Sequence, residues 1–462
     1  MLQWIKSTLK GIVDTLLFWK RFESRDELKK FGLLAVIFGV IIGTYWTMRP
    51  IKDSIFGAIV GVNNIPYAKM LSLCLIVPLV ILYSKLIDWF PRHKVFYGIV
   101  LTYAALAFCF MIAFMHPTIG LANQEVSSSR IIGWLWYVFV ESYGSLIVAL
   151  FWAITTDITL PAAAPRGFPV IMLFAQFGQI AGPFFLNTEN LRLTTSAPIA
   201  GICAGLTVLV AVLFWVFMHV VPPAQLKGYH GEHEVAEKEP GFLEGLKLLL
   251  SQGYLLGIFV IVSAFEVIVT IFDFHLKAMA KAQFPLEAAN SAYLSKYAYT
   301  TGIVSTLCVW FGINEIQRKL GVKASLLLLP VLIGSGMFLL YMNPMSLLVV
   351  FWIMVFAKAI NYALNQPTIK QLYIPTTKDT KYKATAWIEM FGSRGAKAIG
   401  SGVNAIKKPM IARYGGDLAL ATPAFLGIAA GLSGVVILFW MLVAVFVSKK
   451  YQTAVDKNEV VC

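Results

Sequence analysis

Eight basic residues lie inside stretches apolar enough to cross a membrane: Arg49, Lys52, Lys69, Lys277, Lys296, Lys358, Arg394 and Lys397. Five acids join them: Asp53, Glu141, Glu266, Asp273 and Glu389. Insertion scales charge about 2.5–3.5 kcal/mol for such a side chain at a helix centre, so these groups must face protein, water or a ligand. Spacing sorts them. Arg49 and Lys52 are three residues apart, as are Arg394 and Lys397, so each pair projects from one helical face. Glu266, Asp273 and Lys277 form a stripe by the same rule. Several fixed cations in a wet cleft suit a polyanion, because they replace its lost hydration and phosphate oxygens accept charge-assisted hydrogen bonds. The competing reading is a set of ion pairs that tie helices together. The excess of cations over acids favours the ligand, since it leaves cations without partners. Lys69, Lys296 and Lys358 stand apart, because each can reach an interface or pair locally along its flexible stem.

The elements that hold these residues are membrane helices. Of 462 residues, 58% are hydrophobic and 13% charged, well outside the range of ordinary soluble domains. Apolar windows of helix-spanning length predict twelve transmembrane helices, at 31–58, 67–84, 95–115, 131–156, 168–186, 198–221, 253–280, 291–311, 325–341, 347–366, 384–406 and 422–447. Lysine and arginine concentrate in the two ends and the even-numbered connections, 24 against 6 in the odd-numbered ones. Both termini are therefore expected in the cytoplasm. This topology also accounts for most of the net charge of +14, which needs no nucleic-acid partner. No cleavable signal peptide is expected. Instead, Leu2, Ile5, Leu9, Ile12 and Leu16 share one face of a segment carrying Lys6, Lys10 and Lys20, which reads as a helix on the inner membrane surface.

The longest polar interruption, 222–252, is expected to be a cytoplasmic linker. It divides the chain into an amphipathic segment 1–30, a six-helix half 31–221, a second six-helix half 253–447 and a tail 448–462. His230 and His233 in the linker read as solvated residues rather than metal ligands. An acid followed by bases recurs after the second and eighth spans, as Asp88 with Arg92 and Lys94, and as Glu315 with Arg318 and Lys319. That correspondence points to two parallel repeats. Gly178 and Gly182, four apart and followed by Pro183, are expected to let helices approach closely; their position resembles the glycine-proline motif of major facilitator exchangers. Cys74, Cys109, Cys203, Cys308 and Cys462 show no paired spacing, so neither a disulfide framework nor a metal site is expected. No nucleophile-base constellation or phosphate-binding Gly-x-x-x-x-Gly-Lys loop occurs, which argues against a membrane enzyme acting on phosphorylated lipid.

Taken together, these stretches resemble the nucleotide transporters of plastids and obligate intracellular bacteria, the ATP/ADP translocases. The likeness runs from about Phe31 to the C-terminal tail. Its marks are Tyr45, Arg49, Lys52 and Asp53 at the end of the first helix, the "ESYGS" opened by Glu141, and Asp273, Lys277 and Lys281 before "QFP". A further mark is the segment "YIPTTKDTKYKATAWIEMFGSRGAKAIGSG", with Glu389, Arg394 and Lys397. Asp273 stands where the family usually has glutamate. The resemblance implies an all-α, major-facilitator-like fold of two six-helix halves, no cofactor, and nucleotide counter-exchange by alternating access as one half rocks against the other. The membrane it implies is the inner membrane of an intracellular bacterium.

Substrate contacts are expected at Arg49, Lys52, Glu141, Asp273, Lys277, Arg394, Lys397 and a lysine of "DTKYK", with Lys383 preferred to Lys381. Partners are nucleoside di- and triphosphates and the lipid bilayer. Proton-coupled uptake through Asp273 or Glu141 is the alternative. Tyr45, Trp46, Tyr143 and Phe274 are near enough in sequence to stack a base, although packing explains each of them as well. One departure bears on selectivity. Where adenylate exchangers of the family carry an Asp, a Lys and often a Glu, this chain reads "LNQPTIKQL", placing Gln366, Ile369 and Lys370 there. Strict ATP/ADP selectivity is therefore not expected.

Overall fold

A computed structural model describes residues 22–160, 162–226, 242–310, 313–376, 387–388, 392–457 and 459–461. Helices dominate, and no strand occurs among the described residues. In the first half of the chain they are α1 (Arg25–Phe56), α2 (Ile65–Trp89), α3 (Arg92–Met115), α4 (Ile131–Asp157), α5 (Ala164–Phe185) and α6 (Ala197–Val220). After a short helix at Phe242–Ser251 come α7 (Gly253–Gln283), α8 (Glu287–Trp310), α9 (Ile313–Met342), α10 (Leu347–Ile360), α11 (Ser393–Ala405) and α12 (Leu418–Lys457).

Nine of the described segments are long and apolar enough to cross a membrane, so the expectation of twelve is not met among the described residues. The physical reasons differ. The first span runs on as Arg25–Leu75, because α1 passes into α2 through a π-helical turn at Gly57–Gly61 and a 3-10 turn at Val62–Asn64. Gly61 adopts a φ of 101°, a left-handed conformation that a residue with a Cβ resists. α8 has the length, but Asn290, Ser291, Ser295, Lys296, Thr300 and Thr301 make it too polar. α11 is only 13 residues long.

Two compact units emerge. One gathers the described residues of Met1–Glu232 and Ala280–Ile303, the other those of His233–Met279 and Val304–Cys462. Residues 280–303 follow the linker in sequence, yet polar bonds explain their place in the first unit. The Ser54 and Thr188 hydroxyls donate to the carbonyls of Glu287 and Ala288, each at 2.6 Å. The Glu287 carboxylate accepts the Ser196 N–H at 2.9 Å and its hydroxyl at 2.7 Å, capping α6.

Within the first unit α1 packs most extensively on α5. A methyl group on Gly178 would overlap the Gly39 carbonyl, and one on Gly182 would overlap the Gly43 carbonyl, so the expected close approach is real. The N-terminal end of α1 is fastened too. The buried Lys30 ammonium donates to the carbonyls of Ile158 at 2.6 Å and Gln225 at 2.8 Å, while Arg166 donates to Glu27 at 3.0 and 2.8 Å. In the second unit, a Cβ at Gly400 of α11 would come within 2.6 Å of the Val267 carbonyl of α7, and Asn404 donates to the Thr270 carbonyl at 2.9 Å.

Candidate functional site

The opening cluster of charges sits where α1 loses its regularity. Pro50 lacks the N–H that would bond back to Trp46, and the π-helical turn begins seven residues later. Between them lie Lys52 and Asp53, both buried. The Lys52 ammonium donates to Glu141 of α4 at 2.5 Å and stands 3.7 Å from the Asp53 carboxylate. It also lies 4.1 Å from the centroid of the Tyr137 ring, where the negative ring face adds to its stabilisation. One cation thus meets two carboxylates and an aromatic face. The Glu141 side chain keeps 28% of its exposure, against 3% for Lys52, so the carboxylate is the wetter end of the pair.

One turn earlier, the half-buried Arg49 guanidinium lies 4.6 Å from the Trp46 ring centroid and 5.7 Å from that of Tyr45. The Tyr45 ring occupies the space a side chain would need at Gly144, which explains a glycine within "ESYGS". The structure therefore brings Arg49, Lys52, Asp53 and Glu141 together with Tyr45 and Trp46. Tyr143 is different. It is buried edge-on against Tyr103 at 5.6 Å and serves packing.

In the second unit, α7 presents the buried pair Asp273 and Lys277, joined at 2.7 Å. Two helical turns before Asp273 on the same stripe, Glu266 lies 3.7 Å from Lys397 of α11. That contact is open, with the Lys397 side chain 45% exposed. Arg394 is half-buried one turn before it on α11. Phe274 is buried edge-on to Phe425 and belongs to the core.

These pairings correct one step of the sequence argument. The surplus of bases does not leave Lys52, Lys277 and Lys397 without partners; each has a carboxylate in reach. Lys296 is exposed, whereas Lys69 and Lys358 are half-buried. Lys381, Lys383 and Glu389 lie outside the described residues, as do residues 1–21 of the N-terminal amphipathic segment, His230 and His233; the segment's remaining end, from Arg25, is already part of α1. In the departing segment, Gln366 is half-buried, Ile369 is buried and Lys370 is exposed. Hence only Gln366 of the three combines polarity with partial cover.

The sequence reading missed two features. Lys407, placed in a loop, is 97% covered and lies 5.6 and 5.8 Å from the ring centroids of Phe274 and Phe425. Its place among bases at a span end gave no signal of burial. The second is Asn361 and Asn365, buried partners at 2.9 Å in a π-helical turn that leads straight into Gln366. Two asparagines four apart inside an apolar span were the available sign.

Known proteins resemble the chain in sequence and in fold. A model of the TLC ATP/ADP transporter family matches residues 16–451. The "ADP,ATP carrier protein 1" of Rickettsia prowazekii is 25% identical, covering 94% of this chain and 95% of its own length. The chloroplastic "ADP,ATP carrier protein 2" of Arabidopsis thaliana is 26% identical over 94% of this chain and 76% of its own. Among solved structures, the nucleoside transporter NupG aligns with a TM-score of 0.58 at 14% identity, over 91% of this chain and 99% of that one. A bacterial homologue of the iron transporter ferroportin aligns at 0.63 with 10% identity, over 92% and 100% of the two chains. These likenesses show a major-facilitator-like fold.

Proposed function

The chain belongs to the TLC ATP/ADP transporter family, and from that premise we propose that it exchanges nucleotides across its membrane, with Lys52 as the principal phosphate receiver. It is a multi-pass membrane transporter, not an enzyme. The observation that carries the proposal is the ion pair of Lys52 with the wetter Glu141 across α1 and α4. A buried cation needs a compensating anion at all times. In the unloaded protein Glu141 supplies it; in the loaded protein a phosphate oxygen takes that place, gaining charge-assisted hydrogen bonds in a poorly solvated site. Arg49, held one turn away over Trp46, adds a second, forked donor. Tyr45 and Trp46 offer the faces on which a base can stack.

In the second unit Asp273 with Lys277, and Arg394 with Lys397, supply further charge to the same substrate class. Lys383 completes the set on the strength of the family resemblance. The site is alternately exposed to the two sides of the bilayer, and both termini are in the cytoplasm. At Gln366, with Asn361 and Asn365 beside it, amides stand where a carboxylate would select for particular donors on the base. Selectivity among bases depends on buried groups left unpaired by the wrong ligand. An amide both donates and accepts, so this carrier accepts non-adenine nucleotides at affinity comparable to adenylates.

Proteoliposomes loaded with single nucleotides and challenged with a labelled panel test the reading. Uptake should require an internal nucleotide and proceed without a pH gradient. Uptake into empty vesicles driven by a pH gradient would instead establish proton coupling through Glu141 or Asp273. Displacement by ATP and ADP alone would remove the broader selectivity.

A further inference from the structure

On the first unit, far from any proposed phosphate contact in its chemistry, α2, α3 and α4 enclose a cleft of about 770 Å³. It exists because α2 packs along α4 but meets α3 only briefly. Leu75, Ile99, Leu106 and Phe139 typify its walls, which are apolar almost throughout. Among the described residues, Lys94, exposed in the first turn of α3, is the one charged residue that lines it. At 1.5 Å per residue, the wall from Lys94 to Phe110 runs about 24 Å. That exceeds the roughly 15 Å of one leaflet's hydrocarbon. At Gly98 the cleft has true open space, with no atom within 4 Å of where a Cβ would stand. The polar atoms at its floor satisfy each other: the Tyr103 hydroxyl donates to Ser142 at 2.8 Å, and Ser142 to the Phe139 carbonyl at 2.8 Å.

We propose that this cleft holds one anionic phospholipid of the surrounding bilayer, its acyl chain along the apolar wall and its headgroup phosphate at Lys94. A long apolar slot with a single cation at its mouth is complementary to an amphiphile with one charged head. A free nucleotide lacks the tail to cover these walls, and the buried floor offers a base no open hydrogen-bonding group. The chain so seated lies against α4 beside Ser142, the residue after Glu141, and supports the helix that carries the counter-ion of Lys52.

The test uses purified, delipidated full-length protein and native mass spectrometry. Phosphatidylglycerol competes with phosphatidylcholine of the same chains, and glycerol 3-phosphate serves as the soluble headgroup. The parent should retain one phosphatidylglycerol. Lys94→Gln should lower the preference for phosphatidylglycerol about fivefold, the weight of one lysine near an anionic surface, while still retaining phosphatidylcholine. Gly98→Phe should fill the cleft and retain neither, with a melting temperature no lower than the parent's; Leu106→Trp serves if that variant does not fold. Lipid retention unchanged in the filled variant, or a preference unchanged in Lys94→Gln, overturns the proposal. So does displacement by glycerol 3-phosphate as effective as by phosphatidylglycerol. A dimeric parent made monomeric by Gly98→Phe would give the cleft to a second copy of the chain, and would overturn it equally.

Discussion

The first and second units solve the same problem of a cation in apolar surroundings in two ways. In the first, Lys52 reaches across to another helix, from α1 to Glu141 of α4. In the second, Lys277 pairs with Asp273 four residues back on its own helix. An intrahelical pair forms wherever the helix forms and is indifferent to its neighbours. An interhelical pair depends on two helices, and a ligand that takes one partner alters their attachment. The comparison teaches that the Lys52 pair ties two helices together, whereas the Lys277 pair settles charge within one.

The scaffolds beneath the two sites are alike. α1 meets α5 through Gly178 and Gly182, and α7 meets α11 through Gly400, the same places in the order of each half. The seam should be the most sensitive feature of all. Gly182→Leu drives a side chain into the Gly43 carbonyl and the Thr47 hydroxyl, where both helices are backbone-close. Overpacking of this kind costs about 1–3 kcal/mol or more, and here the backbone has no room to give. Loss of monodisperse protein in detergent is the expected outcome. A well-folded Gly182→Leu protein would show that the α1 and α5 contact is not the foundation of the site.

Lys52→Gln comes next. Breaking a buried ion pair by removing one partner costs about 3–5 kcal/mol when both groups are desolvated, less here because Glu141 is partly wet. A clear drop in melting temperature is expected, together with loss of nucleotide binding. Adding Glu141→Gln should restore the melting temperature but not the binding. Restoration of both would reduce Lys52 to a fastening between helices.

Lys277→Gln leaves the buried Asp273 carboxylate without its ammonium, so it too should lower the melting temperature, by up to the about 3–5 kcal/mol of a fully desolvated pair. It should still weaken nucleotide binding, by less than Lys52→Gln. Equal loss of nucleotide binding in the two variants would erase the distinction between the units. The smallest effect belongs to Lys397→Gln. Its 3.7 Å contact with Glu266 and 45% exposure predict a stability change within the roughly 0–1 kcal/mol of surface pairs, and a modest loss of affinity.

Much of this was legible in the residues. The membrane class follows from apolar run length alone, and Arg49, Lys52, Asp273 and Lys277 stand out because charge inside such runs is costly. The glycine seam was visible as small residues four apart. What could not be read were features created by tertiary placement. Composition counts cations and acids but not which carboxylate each one meets, so the surplus wrongly suggested unpaired bases. The π-helical turns at Gly57–Gly61 and Asn361–Asn365 leave no strong periodic signature. The burial of Lys407 depends on rings contributed by α7 and α12, remote in sequence. α8 was expected to span from the apolar window at 291–311, while its hydroxyl and amide side chains hold it below the apolarity of the nine described segments that are apolar enough to cross.

The exchange of partners at Lys52 is tested most directly by equilibrium binding of labelled ADP to three purified proteins: the parent, Glu141→Gln, and Lys52→Gln combined with Glu141→Gln. If Glu141 holds the place of a phosphate, its removal lifts a competitor, so the single variant should bind at least as tightly as the parent and the double variant should not bind. A double variant that binds ADP as tightly as the single one would contradict the account, because the phosphate would then have no need of Lys52.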